Sequence, residues 1–291
     1  MLAQFFQFLF SGMTVGSAYA LAALGFTIIY NTSGVINFAQ GEFIMLGGMI
    51  AAMLASAGVP LPLAILIAVL LTGLVGLVME KAVIEPARDA QVVTLIIITI
   101  GASLVVRGLV QIWLGKGTHA LAAFSGEKPI EVFGASLLPQ SLWVLGVTLA
   151  TVGLLGWFFG RTLLGKAMLA TSHNRLAAQL VGINTGRVLL LSFGLAALLG
   201  ALGGILVAPI TYTSYDAGIM LGLKGFVAAV LGGLGGGVGA IAGGLILGIA
   251  EAMTAGYVSS AYKDAVPFVL ILLILFFMPR GLFGAKISER V

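Results

Sequence analysis

Asn37, Gln40 and Glu42 lie within VINFAQGEF (residues 35–43), directly at the start of an apolar run. Two amides and a carboxylate at membrane depth are costly unless they face protein or a water-filled path. They are candidate lining of such a path. A helix beginning here would also aim unpaired N–H groups and a positive dipole end at an anion such as a substrate carboxylate. The alternative reading is that Asn37 and Glu42 only cap that helix near the cytoplasmic headgroups, and the residues alone leave both open. A second polar interruption, TYTSYDAGIMLGLKG from Thr211 to Gly225, carries Asp216 and Lys224. Arg107 and Glu251 are the other charges inside or beside apolar runs. These four either pair across a helix bundle or touch substrate, and Lys224, as part of a break, is the most direct candidate for contact.

This chemistry is recognition and passage rather than bond making, so no residue is assigned a catalytic role. The chain has no cysteine, which excludes disulfides, thiolate metal sites and cysteine nucleophiles. GGLGGGVG (residues 232–239) lacks the spacing and the strand–helix setting of a dinucleotide loop. GRTLLGKA (residues 160–167) imitates a phosphate loop but has Ala167 where a magnesium-binding hydroxyl is needed, and it follows an apolar run, not a core strand. No cofactor or metal is assigned to this chain. A net charge of +4, dispersed over 291 residues, gives no footprint for nucleic acid.

The elements that must position these residues are membrane helices. Hydrophobic residues make up 60% and charged residues 8%, far from the roughly 25% charge of soluble domains. Apolar runs occupy Phe8–Tyr30, Phe43–Ala57, Leu61–Met79, Val92–Leu114, Leu142–Gly160, Val188–Pro209, Phe226–Leu234, Val238–Ala255 and Val266–Met278. At about 20 residues per crossing, the reading is an all-α polytopic protein of about eight to ten spans in one domain over residues 1–291. The first run lacks the cationic start of a secretory signal and is expected to be retained as a span. Lys81 and Arg88, then Arg161, Lys166, Arg175 and Arg187, then Arg280, Lys286 and Arg290 mark three cytoplasmic segments. The C-terminus is therefore inside, residues 115–140 lie outside, and nine crossings satisfy the parity with an external N-terminus. Phe226–Leu234 is too short to cross and Phe43–Ala57 is marginal. Each follows a long helix and a glycine-containing break, and the two units enter from opposite sides, so an inverted repeat is expected.

Glycines at four-residue spacing, such as Gly200 with Gly204, Gly232 with Gly236, Gly239 with Gly243 and Gly244 with Gly248, predict close helix packing. The polar segment Arg161–Arg187 reads as a cytoplasmic handle. Ser172 is the expected N-cap of a short helix over 173–181, ended by Gly182 in the left-handed region. On it, Asn174, Ala177, Ala178 and Val181 share a small face, with Arg175 and Gln179 on another side. Such a face fits a cleft in a partner. The alternative is an amphipathic helix that sinks Leu169, Leu176 and Leu180 into headgroups.

Four stretches carry a family resemblance: GSAYALAALGFTIIYNTSGVINFAQGEFIMLGG from Gly16, TLLGKAMLATSHNRLAAQLVGIN from Thr162, GLKGFVAAVLGGLGGGVGAIAGGLILGIAEA from Gly222, and MPRGLFG from Met278. Their content and order resemble permease subunits of the branched-chain amino acid class of ABC importers. The resemblance implies a bacterial plasma-membrane protein forming half of a translocation path for hydrophobic amino acids. It implies as partners a second, usually nonidentical permease, a periplasmic or surface-anchored binding protein, and two cytoplasmic ATPases that use ATP and magnesium. It makes the helix around 174–182 the coupling helix, although Thr171, Ser172 and His173 stand where the family often has acidic residues. An ion-coupled secondary transporter or a passive channel for a small amide such as urea would also use breaks and a glycine-rich core, but neither needs a docking helix.

Overall fold

The computed structural model describes residues 2–284; Lys286 and Arg290 fall outside them. Eleven α-helices are found among the described residues: α1 Leu2–Ser33, α2 Gln40–Ser56, α3 Leu61–Met79, α4 Val92–Leu114, α5 Pro139–Arg161, α6 Leu163–His173, α7 Arg175–Leu180, α8 Thr185–Thr211, α9 Ala217–Gly232, α10 Gly237–Tyr257 and α11 Val266–Phe277. A π-helical turn and a 3-10 turn continue α3 to Ala87, a 3-10 turn over Ser260–Ala265 leads into α11, and a small antiparallel hairpin pairs Ile130–Val132 with Ala135–Leu137. Seven of the helical spans are long and apolar enough to cross a membrane, and α2 and α9 are the shorter apolar pair. The protein is an all-α polytopic membrane protein.

Side-chain contacts identify the two ends of the bundle. At one end Gln7 of α1 bonds the hairpin backbone at Ser136, and residues 119 and 213 exchange backbone hydrogen bonds. At the other, Asn31 donates to the Gly235 carbonyl, and the backbone of Leu282 and Phe283 bonds that of Leu231 and Gly232. The first end holds the loop expected outside and the second holds Arg280. α3, α4, α5 and α11 turn Leu, Val, Ile and Phe side chains outward, whereas α1 and α8 are buried through most of their length. Outward apolar residues are the lipid-facing surface of a membrane bundle, and exposed Trp113, Trp143 and Trp157 sit near helix ends, where indole rings prefer the interface.

The helices form an inverted repeat. α1 packs on α10 as α8 packs on α3; α1 packs on α9 as α8 packs on α2; and α2 meets α3 and α4 as α9 meets α10 and α11. α1 starts at the end that holds the hairpin loop and α8 finishes there, so the two run antiparallel and the unit α1–α4 recurs upside down as α8–α11, joined by α5–α7. The helix after the first break starts deep in the bundle. Gly25, eight residues or about 12 Å before the end of α1, has no room for a Cβ against the Gln40 amide. Ala196, eleven residues or about 16 Å into α8, accepts a hydrogen bond from Gln40. α2 therefore starts well inside the membrane, and its first turn crosses that of α9. Gly41 and Gly218 each press on the other's carbonyl, so a Cβ on either would collide with backbone.

The breaks are shorter than the sequence suggests. The first is only Gly34–Ala39 and the second Tyr212–Asp216. α9 begins nine residues earlier than expected and contains Lys224, because its glycines are there for close approach rather than to interrupt the helix. Most of the four-residue glycine pairs do face neighbouring helices: Gly204 meets the Ile44 carbonyl, and Gly244 and Gly248 meet α1. Gly235 and Gly236 instead form the turn between α9 and α10, with Gly235 at φ +99°.

This packing separates glycines that matter from those that do not. Gly204→Val should destabilise the permease by at least about 2 kcal/mol through overpacking, whereas Gly101→Val, facing open space on α4, should change stability by less than about 0.5 kcal/mol. Thermal unfolding in mild detergent compares them, and equal losses would contradict the packing described.

Candidate functional site

The first break is held by three local devices. Gly34 adopts φ +71°, the Asn37 side-chain oxygen accepts from the Ala39 N–H at 3.1 Å, and the Phe38 N–H donates to the Thr99 hydroxyl of α4 at 3.2 Å. The N-cap position of α2 is Ala39, which has no side-chain oxygen to offer. The first turn is polar through Gln40 and Glu42 instead. Gln40 donates to the Ala196 carbonyl at 3.0 Å and ties α2 to α8. Glu42, 1% exposed, accepts from the Ser103 hydroxyl at 2.7 Å and pairs with the Arg107 guanidinium. Asn37 therefore shapes the turn before α2 without capping the helix, while Glu42 is committed across the bundle to α4.

Four atoms of this cluster have no protein partner: the Asn37 amide nitrogen, the Gln40 amide oxygen, Glu42 Oε2 and Arg107 Nε. Buried polar atoms left open cost about 1–3 kcal/mol each. Glu42, Ser103 and Arg107 border a cavity of about 170 Å³ closed by Phe38, Phe226 and the Gly218–Gly222 face of α9.

The second break pairs with the external loop through the 119–213 bridge, and Tyr212 is held at φ +60°, an uncommon conformation outside glycine. Asp216 is exposed and accepts from the Ser214 hydroxyl at 2.6 Å. Lys224, two turns further into α9, is 7% exposed. Its ammonium lies 2.9 Å from Glu251 Oε1 and 2.7 Å from Asp264 Oδ1, and 5.7 Å over the Tyr19 ring, whose hydroxyl donates to Glu251 Oε2 at 2.7 Å. A lone buried ammonium would cost several kcal/mol, and the two carboxylates with the ring offset that cost. The cluster opens onto an external cavity of about 430 Å³ that is also lined by hydroxyls of Thr118, Thr211, Thr213 and Ser214.

The structure thus divides the predicted lining residues. Asn37, Gln40 and Glu42 stand at the crossing of α2 and α9, Lys224 stands in the outer cavity, and Asp216 lies at the exposed outer edge. Arg107 and Glu251 each pair with one of them. Tyr19, Ser103 and Asp264 escaped the sequence reading. Only Ser103 had a usable signal, since it shares a helix face with Arg107 at i,i+4.

In the polar segment Arg161–Arg187 the capping residue differs from expectation. Ser172 bonds back to the Leu169 carbonyl within α6, and Asn174 caps α7 by accepting from the Ala177 N–H at 3.0 Å. Gly182, at φ +87°, closes α7 with hydrogen bonds from residues 182 and 183 back to 179 and 178, the glycine-terminated pattern predicted. Ala178 is buried beneath α7, and Gln179 donates to the Thr185 hydroxyl. The outward face consists of Leu176 (74% exposed), Leu180 (88%) and Val181 with Arg175 and Ala177. Of the expected small face, Asn174, Ala177 and Val181 are exposed and Ala178 is buried, and the exposed Leu176 and Leu180 add a leucine-rich surface beside it. Arg175 also borders a pocket of about 30 Å³ shared with Asn37, so α7 reaches to the first break.

The comparisons with known proteins agree with this architecture. Residues 8–275 match the family model described as the permease component of the branched-chain amino acid transport system. The chain belongs to that family. It is 35% identical to the high-affinity branched-chain amino acid transport system permease LivH of Escherichia coli over 99% of this chain and 98% of that protein. It is 34% identical, at the same coverage, to BraD of Pseudomonas aeruginosa, a permease of the same description. A more distant likeness, 30% identity over 76% of this chain and 68% of the relative, is to the ribose import permease RbsC of Escherichia coli. Among solved structures, PsaBC from Streptococcus pneumoniae in complex with Fab superposes with a TM-score of 0.56, covering 96% of this chain and 97% of that one. At 16% identity that likeness speaks to the fold alone.

The Glu42–Arg107 pair makes a sharp prediction. Glu42→Gln or Arg107→Met alone should cost about 3–5 kcal/mol by leaving a buried charge unpaired, while the double variant should recover a substantial part. Thermal denaturation of the three variants checks this, and additive losses would exclude a direct pair.

Proposed function

We propose that this chain is one of two membrane subunits of an ATP-driven importer and carries branched-chain or similar aliphatic amino acids delivered by an external binding protein. Family membership supports the transport class. The observation that carries the mechanism is the combination of two half-membrane helices crossing at Gly41 and Gly218 with a capped, leucine-faced helix at the cytoplasmic end. The cargo follows the substrates named for LivH and BraD.

In this reading two ATPase subunits bind ATP with magnesium and close. Their surfaces hold α6 and α7 through Leu176, Leu180, Val181 and the polar groups at Asn174, Arg175 and Gln179. Gly182 and the buried Ala178 keep α7 rigid enough to transmit the movement. The pocket joining Arg175 to Asn37 carries it to the first break, and the second permease, usually a nonidentical homologue, supplies the facing wall. Asn37, Gln40 and Glu42 line the inner part of the route and Lys224 the outer part, with Asp216 at the entrance. Hydrolysis in the ATPases resets the inward-facing state; the permease chain itself supplies no catalytic group. The protein resides in a bacterial plasma membrane with its C-terminus in the cytoplasm.

The test uses the complete transporter in proteoliposomes with binding protein and labelled leucine. Uptake should require ATP and survive an uncoupler, and Leu176→Asp with Leu180→Asp should lower substrate-stimulated ATP hydrolysis at least about tenfold, as expected for loss of interface anchors. Uptake driven by an ion gradient without ATP, or normal coupling in the double variant, would overturn the proposal.

A further inference from the structure

The ion cluster of the outer cavity is asymmetric in a way that the transport reading does not use. Glu251 is fixed: its side chain is 8% exposed, one oxygen faces Lys224, and the other takes the Tyr19 hydroxyl. Asp264 is not. Its side chain is 51% exposed, it sits on the short 3-10 connection between α10 and α11, and its recorded polar partner is Lys224 at 2.7 Å. Lys224 therefore joins one permanent carboxylate to one that can leave into water.

We propose that Lys224 is a carboxylate-exchange site, at which the α-carboxylate of an incoming amino acid displaces Asp264 and frees the α10–α11 connection. The inference rests on the importer reading for its cargo, and it adds the chemical group recognised and the latch that recognition opens. The exchange is electrostatically cheap because one carboxylate replaces another on the same ammonium. The number of carboxylates on Lys224 does not change, and Asp264 regains bulk hydration. A neutral amide offers no such replacement, and an amine would add a second cation beside Lys224, which is unfavourable in a partly dehydrated site. Glu251 stays paired with Lys224 throughout the exchange. Hydroxyls of Thr211, Thr213 and Ser214 line the same cavity, whose volume of about 430 Å³ admits an aliphatic amino acid.

The natural chain lacks cysteine, so a single reporter thiol can be read cleanly. Ser11 is exposed and borders the cavity from α1. In membranes holding the complete transporter with Ser11→Cys, an impermeant thiol reagent is applied from outside without ATP. Leucine and 4-methylpentanoate should slow labelling, whereas leucinamide and isopentylamine should not. Asp264→Asn should shift protection to about tenfold lower leucine because the internal competitor is gone, Lys224→Met should abolish it, and Lys224→Arg should retain it. A merely structural ion pair predicts the opposite for Asp264→Asn, a loss of protection. Equal protection by acid and amide, or protection by leucine that persists in Lys224→Met, would overturn the exchange site. Because this readout needs no ATP, its failure is distinguishable from a failure of ATP-driven uptake, which would instead sink the importer reading.

Discussion

Interrupting a helix inside a bilayer leaves backbone N–H and C=O groups where no water can reach them, and the rest of this protein answers that constraint. Such interruptions are tolerated only where they are buried in protein or border a cavity. Two of them, before α2 and before α9, are set against each other. Around them freed backbone groups find partners: the Thr99 hydroxyl for the Phe38 N–H, the Asn37 side chain for the Ala39 N–H, and the backbone of residue 119 for residue 213. α1 and α8 form the buried frame on which both breaks rest, and the peripheral helices shield that frame from lipid.

Small residues make this closure feasible. No hydrophobic effect drives helices together in lipid, so close approach and polar ties must do so. Gly41, Gly204, Gly218 and Gly248 each give backbone-to-backbone contact that a methyl group would prevent. The same four-helix unit used twice, upside down, places one break toward each side of the membrane. That arrangement suits a site offered alternately to each side, since shifting one unit against the other moves both half-helices. The incompletely satisfied Asn37, Gln40, Glu42 and Arg107 leave this part of the interior polar at some cost in stability.

Much of the architecture was legible from local signals. Apolar run lengths located the seven spanning helices and the two shorter apolar ones, the two short segments pointed to an inverted repeat, and Gly182 ended its helix as its type predicts. Where reading failed, the deciding contact was distant in sequence. Lys224 beside glycines looked like part of a break because its partners are on α10 and on the connection beyond it. Ser172 and Asn174 are both competent caps, and the choice fell to Asn174 once the Ser172 hydroxyl bonded back within α6. Ala178 and Val181 shared a helical face on paper, yet packing against the frame buried the first and left the second exposed. Pairing was left open for Arg107, but Glu42 was not named as its partner, because composition reveals opposite charges but not which helices adjoin.

The central claim is that the first break lies at membrane depth and yet borders a route open to water. The most direct measurement is the accessibility of a spin label at position 38 in the assembled transporter, using a water-soluble and a lipid-soluble relaxation agent with and without bound ATP. The account predicts strong relaxation by the water-soluble agent in one nucleotide state and weak relaxation in the other. Relaxation by the lipid-soluble agent alone, unchanged by ATP, would contradict it.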